Sequence, residues 1–377
     1  MDTHCSLITA LLQVTDCRKS RGKRHPLAAL FALACAAALC GARSLTAISQ
    51  WGREHDVELL AQLGFTHFPG PCVATFHRVF RHLDVAALER VLGGWLQAHF
   101  PAQQGLAFDG KTLRGSRTGS GEAVALVAAF AQAVGVALGQ QRIEHGDEVQ
   151  AALTLLHSLD LHGWVVTGDA GLTQKPLAQT VMDQGGDYTL IVKRNQPLLY
   201  DDIALLFAES AVVADTLTAA ERVNLHGDRI EERMLQASTA LADYCDWPGL
   251  QQVFRLERQV TRKKTGVQTC QVVFGITSLG PQRANADRLL DLTRGHWGIE
   301  NRLHWVRDVD FDEDHSRVRC GAGPQVMAAI RNLAIGLLRL AGYPCIAAAL
   351  RHFALHSTEA VQLVTQPLPA PVRVKMK

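Results

Sequence analysis

The sequence predicts an α/β protein preceded by an all-α N-terminal region, and three observations carry that expectation. Apolar residues recur at helical spacing through residues 1–100. From Gly105 onward, short apolar runs alternate with helical patterns, the texture of a sheet covered by helices. Between Asp201 and Leu279 the extended runs lengthen and helices become fewer, so a β-rich insertion is expected before helical periodicity returns.

In the N-terminal region the helical spacing covers Leu27–Leu39, Leu45–Trp51 and Leu83–Leu96, with Pro26 suited to a helix start. Pro69-Gly70-Pro71 divides it into two helical groups. Thr75 to Leu83 reads as a short helix carrying His77, Arg78, Arg81 and His82. Either a DNA-reading module or a plain helical support fits that pattern. Leu27 to Ala42 is the most apolar stretch, but it is shorter than the ~20 residues of a membrane span. It follows a basic cluster, as a signal peptide would, yet lies well inside the chain behind an amphipathic start. A buried helix is therefore expected, and no membrane partner.

The α/β part has apolar runs at Leu106–Phe108, Val124–Val136, Trp164–Thr167 and Tyr188–Lys193, with helical patterns at Glu148–Leu159 and Pro176–Gln184. Ile230–Ala237, Gln251–Val260 and Val267–Ile276 look extended, the last two joined by the turn Lys263-Lys264-Thr265-Gly266. Helices return at Ala286–Trp305 and Pro324–Leu340. The expected division is a helical domain over 1–100, the first part of an α/β core over 101–200, the insertion over 201–283, a helical completion of that core over 284–365 and a disordered tail over 366–377.

The 377 residues carry a net charge of only +2, but nucleic acid responds to local basic patches rather than to the sum. Arg18, Lys19, Arg21, Lys23 and Arg24 form one such group, and Arg258, Arg262, Lys263 and Lys264 another; solvated surface runs are the alternative. Nine cysteines without a C-x-x-C pair argue against a disulfide framework or a structural zinc site and fit a reducing cytoplasm. There is no G-x-x-x-x-G-K-[ST] loop, so no nucleotide cofactor is expected, and no G-x-S-x-G elbow for serine chemistry.

Two aspartates stand directly after strand-like runs, each beside a glycine: Asp109 before Gly110 and Asp169 after Gly168. Ligands gather beyond the carboxyl ends of strands in open α/β sheets, although a turn or N-cap role accounts for either residue alone. On a helix, His296, Glu300 and His304 share one face, with Arg307 close by and Trp297 and Trp305 flanking. Such a strip admits a zinc hydrolase, but the strand-end aspartates have no place in an imidazole site and indicate hard-oxygen coordination instead.

These blocks make the chain recognisable. The segments Arg21–Trp51, FDGKTLRGS from Phe108 to Ser116, VVTGDAGLTQ from Val165 to Gln174, DYTLIVKRNQPLL from Asp187 to Leu199, and His296 to Arg319 occur together and in order. The chain resembles the ISAs-type and H-repeat-associated transposases of bacterial insertion sequences, within the broader DDE superfamily. That resemblance implies an RNase H-like catalytic core with Asp109, Asp169 and Glu300 as catalytic, metal-binding triad. It implies Mg²⁺, with Mn²⁺ as substitute, and DNA as partner: terminal inverted repeats and target DNA, held by a homodimer on paired ends in the bacterial cytoplasm at the nucleoid. Related transposases place basic residues one turn before and two turns after the glutamate, where this chain has His296 and Arg307. Lys111, Arg114, Lys193, His296 and Arg307 are the candidate nucleic-acid contacts, with structural ion pairs as the alternative for the four basic residues. Trp297 and Trp305 read as core packing in preference to base stacking. The sequence departs from the family pattern at His296, at Gly168 and at Glu144–Glu148. A catalytically silent DNA-binding protein and a nuclease without strand transfer are the competing functions.

Overall fold

The computed structural model describes residues 5–16, 18–20, 23–99, 104–119, 121–209 and 216–368. Arg21 of the first basic group and residues 369–377 of the expected tail lie outside the described residues. The chain begins with α1 (Leu7–Leu11), α2 (Leu27–Leu39), α3 (Leu45–Glu54), α4 (Val57–Gln62), α5 (Val73–Arg81) and α6 (Val85–Gln97). Strands β1 (Gly105–Thr112), β2 (Ala125–Ala131) and β3 (Val136–Ile143) follow, then α7 (Glu148–Leu156), β4 (Val165–Gly168), α8 (Lys175–Asp183), β5 (Asp187–Val192) and α9 (Pro197–Ala208). Next come β6 (Thr218–His226), β7 (Arg229–Ser238), β8 (Gln252–Arg262) and β9 (Gln268–Thr277). The chain closes with α10 (Ala286–His296), a π-helical turn (Glu300–His304), α11 (Trp305–Val309), α12 (Gly323–Leu340), α13 (Ile346–Leu355) and α14 (Ser357–Thr365).

The hydrogen-bonded strand order is β3-β2-β1-β4-β5-β9-β8-β7-β6. The first five strands form an RNase H-like core, and the remaining four continue outward from β5. The β-rich segment is thus part of the same sheet, because β9 pairs antiparallel with β5 from Thr189↔Thr277 to Val192↔Phe274. Sequence reading missed β6, whose residues are mostly exposed and lack a clean apolar alternation. It also missed α9, where Pro197 starts a helix directly after the family-like strand.

The fold forms two compact units. The first comprises residues 1–101, 110–147 and 298–377. Its centre is α2, whose thirteen residues LAALFALACAAAL are all buried. A helix apolar on every side has no face to offer water, so it is enclosed by α1, α3, α12 and α14. Among the described residues no helix is long and apolar enough to cross a membrane. Ser44, Asp56 and Asp84 cap α3, α4 and α6 by accepting backbone N–H groups that helix starts leave unpaired. Helix α5 buries Phe76, Val79 and Phe80 and leaves His77, Arg78, Arg81 and His82 exposed. The β2–β3 hairpin packs under α6 and α12.

The second unit comprises residues 102–109 and 148–297. Here β4 pairs parallel with both β1 and β5, and β5 to β9 form an antiparallel extension. Helix α10 lies across this sheet, burying Leu289, Leu290 and Leu292 against Leu235, Phe254 and Leu279. Asp187 opens β5 and is held by Arg283 Nη1 at 3.0 Å and Ser278 Oγ at 3.1 Å, which ties the strand to the start of the final helical region.

Candidate active site

In the second unit, Phe108 of β1 and Gly168 of β4 are direct register partners. The next residue of each chain segment is an aspartate, so Asp109 within β1 and Asp169 just past the end of β4 follow directly on paired positions. The burial differs. Asp109 is half-buried within β1, whereas Asp169 is exposed after β4 ends. Asp169 Oδ1 accepts from the backbone N–H of Gly171 at 2.9 Å and of Leu172 at 3.3 Å. These bonds give it the turn role expected of an isolated Asp, and they also fix the carboxylate in one orientation.

Gly168, a departure from the family pattern, has a local explanation. A Cβ there would lie 3.2 Å from Leu172 Cβ and 3.2 Å from Leu190 Cδ2. The turn that orients Asp169 packs directly over the preceding residue, which leaves little space for a side chain.

Also in this unit, His296 ends α10 with its Nδ1 3.1 Å from Thr167 Oγ1, two residues before Asp169. Burial pushes the imidazole down to about 4, opposed by the negative charge of Asp169. His296 is therefore a neutral hydrogen-bonding group at neutral pH, unlike the arginine or lysine of related transposases. Lys193, at the end of β5, is exposed.

In the first unit, Glu300 begins the π-helical turn Glu300–His304. The sequence spacing predicted an uninterrupted helix, but the wider turn shifts the face on which each side chain emerges. Glu300 remains about half exposed, and its Oε2 lies 3.6 Å from Nδ1 of buried His304. Burial, then the charges of Arg307 and Lys111, push His304 down to about 3. Glu300 thus has a neutral imidazole beside it.

Arg307 is fully buried, and its Nε donates to Glu313 Oε2 at 2.9 Å. Arg331 Nη1 reaches the other Glu313 oxygen at 2.9 Å. Burial alone would raise the Glu313 carboxyl, but the Arg307 and Arg331 charges hold it below the usual range. Lys111 Nζ pairs with Asp308 Oδ2 at 2.6 Å and is largely buried. Lys111 and Arg307 are thus held in ion pairs, the alternative that the sequence left open. Arg114 is 80% exposed, with Asp314 Oδ2 3.6 Å away. Trp297 and Trp305 are 66% and 55% exposed, so the expectation of core packing was wrong.

The segment after Asp109 docks closely onto the segment after the π turn. Arg319 Nε donates to Gly115 O at 3.0 Å. A Cβ on Gly115 would come within 2.6 Å of Ser316 O and 2.8 Å of Asp314 O, so only glycine permits this approach. Sequence reading did not identify Thr167, Asp308 or Glu313 as partners. A usable signal was present in Arg331, a charge in the middle of an apolar helical run, which requires a buried counter-ion.

The mixed sheet, with helices after its antiparallel extension, defines an RNase H-like fold class. Comparison with known families agrees. Residues 101–337 match the family Transposase DDE domain, and residues 8–96 match the family described as DDE_Tnp_1-associated. The chain belongs to the DDE transposase family. It is 31% identical over 350 residues to "Putative transposase YncI" of Escherichia coli O157:H7, covering 89% of this chain and 87% of that protein. It is 27% identical over 342 residues to "H repeat-associated putative transposase YhhI" of Escherichia coli strain K12, covering 86% and 88%. This is a family of enzymes, and membership implies use of a divalent metal.

Proposed function

We propose that this chain is a DNA transposase that cuts at the ends of an insertion sequence and joins the freed 3′-hydroxyl to target DNA. Asp109, Asp169 and Glu300 are the acids that hold Mg²⁺, with Mn²⁺ as substitute. The observation that carries the reading is the register of β1 and β4, in which Asp109 and Asp169 directly follow the paired residues Phe108 and Gly168. Two tethers support the addition of Glu300. His296 is bonded to Thr167 beside Asp169, and Glu300 follows it by four residues, a helical rise of about 6 Å. Lys111, two residues after Asp109, is bonded to Asp308, eight residues after Glu300.

The donor chemistry fits the metal, since hard divalent cations take carboxylate oxygen and His296 is buried with its Nδ1 on Thr167. Bound Mg²⁺ supplies activation of the attacking oxygen and stabilisation of the leaving one. The Gly171 and Leu172 amides fix the Asp169 carboxylate, so little reorganisation is needed when it takes up charge. Arg114 and Lys193 are exposed and contact DNA phosphates, while Lys111 and Arg307 hold the frame around Glu300. His296 supports the site through hydrogen bonding. Trp297 and Trp305 present exposed indoles on which an unpaired base stacks.

In the first step, water attacks phosphorus and the DNA 3′-oxygen leaves, taking up a proton. In the second, that 3′-hydroxyl attacks a target phosphodiester and the target's 3′-oxygen leaves, so the number of phosphodiester bonds is conserved. Two copies of the chain on paired ends would make the two joins concerted.

The test uses full-length protein, labelled duplexes bearing the terminal inverted repeats, a supercoiled target and Mg²⁺. Joined products are the expected result. Cutting without joining would replace this function with that of a nuclease, and end binding without cutting with that of a silent DNA-binding protein.

A further inference from the structure

The C-terminal helices carry a second group of potential ligands that the DNA chemistry does not use. His352 and His356 lie at i and i+4 on the last turn of α13 and the residue that ends it, and Glu359 lies in the first turn of α14. One ligand atom from each of the three lies within 4.8 Å of the others. The two imidazoles are stacked, with centroids 4.4 Å apart and planes 19° from parallel.

Hydrogen bonding selects how each ring is presented. His356 Nδ1 donates to His352 O at 2.8 Å, which leaves Nε2 of His356 carrying its lone pair. Metal-binding histidines are typically oriented in this way, with the far ring nitrogen held by a carbonyl. His352 Nε2 lies 2.8 Å from Glu359 Oε2 across the junction between the helices. His356 and Glu359 are exposed and His352 is half-buried, so the group is open to ions from solvent.

We propose that His352, His356 and Glu359 form a zinc-class cation site that joins α13 to α14. The set of two imidazoles and one carboxylate is characteristic of zinc sites that keep a fourth position for water, and it selects against Mg²⁺. The ion replaces the proton between His352 Nε2 and Glu359 Oε2, and that proton passes to solvent. Zinc bonds of about 2.0–2.2 Å at tetrahedral angles require this pair to open to about 3.3 Å, a displacement of about half an ångström. Rotation of the exposed Glu359 side chain supplies it. Because α14 packs against the buried α2, the bound ion would anchor the C-terminal helices to the helical core.

The test compares full-length wild type with His356→Ala, His352→Ala and Glu359→Gln, each stripped with chelator and titrated with ZnCl₂ in excess MgCl₂. The expected result is one more zinc bound by wild type than by His356→Ala or His352→Ala, with affinity reduced at least about tenfold in Glu359→Gln. Zinc should also raise the melting temperature of wild type and not that of His356→Ala. Cobalt(II) should give the visible absorption of a low-coordinate nitrogen–oxygen site in wild type alone. Identical zinc stoichiometry and affinity in wild type and all three variants would overturn the proposal, as would no zinc binding by folded wild type. Asp169→Asn, which leaves these ligands intact, should retain the additional zinc.

Discussion

Phe108 and Gly168 face each other as register partners on adjacent parallel strands, and each is followed directly by an aspartate. Because strands alternate their side chains, a one-residue slip in this pairing would turn one aspartate to the opposite face. The relationship therefore depends on β1–β4 register as much as on the acids themselves.

Asp109→Asn and Asp169→Asn should each reduce Mg²⁺-dependent cleavage by a factor on the order of 10³, since metal stabilisation of the reacting oxygens contributes several kcal/mol. Binding to end DNA, measured by gel shift, should change little. Cleavage at the wild-type rate by either variant would remove that residue from the site.

Gly168→Val should destabilise the fold by about 1–3 kcal/mol, because the new side chain meets Leu172 and Leu190 in a filled space. Chemical denaturation would measure this. A stability equal to wild type would mean that the turn carrying Asp169 shifts at no cost.

Glu313→Gln removes the anion that two buried guanidiniums share. Leaving buried charge uncompensated typically costs about 3–5 kcal/mol, so the denaturation midpoint should fall sharply. Arg114, exposed and 3.6 Å from half-buried Asp314, provides the contrast, and Arg114→Gln should cost less than about 1 kcal/mol. Equal effects in the two variants would contradict the role of the buried network.

Glu89 gives a pH signature. Burial pushes its carboxyl up to about 8, despite the hydrogen bond from Gln140 Nε2 at 2.9 Å. The folded protein thus keeps a proton that the unfolded chain releases at the ordinary value of 4.5. The stability from this group is complete below that value, declines as pH rises and is lost above about 8. Melting curves at several pH values should show a downward component between these limits in wild type, and Glu89→Gln should lack it.

The sequence by itself determined the α/β class, the buried apolar helix and most strand positions, because these follow from local periodicity and turn residues. It also marked Asp109, Asp169 and Glu300 through their blocks. Tertiary structure alone decided how the β-rich segment joins the sheet, since pairing of β9 with β5 connects residues remote in sequence. It likewise decided that Arg307 is paired with Glu313, that Trp297 and Trp305 face solvent, and that the helix bearing Glu300 opens into a π turn. Burial and ion pairing depend on which elements meet in space, and periodicity along the chain carries no record of that.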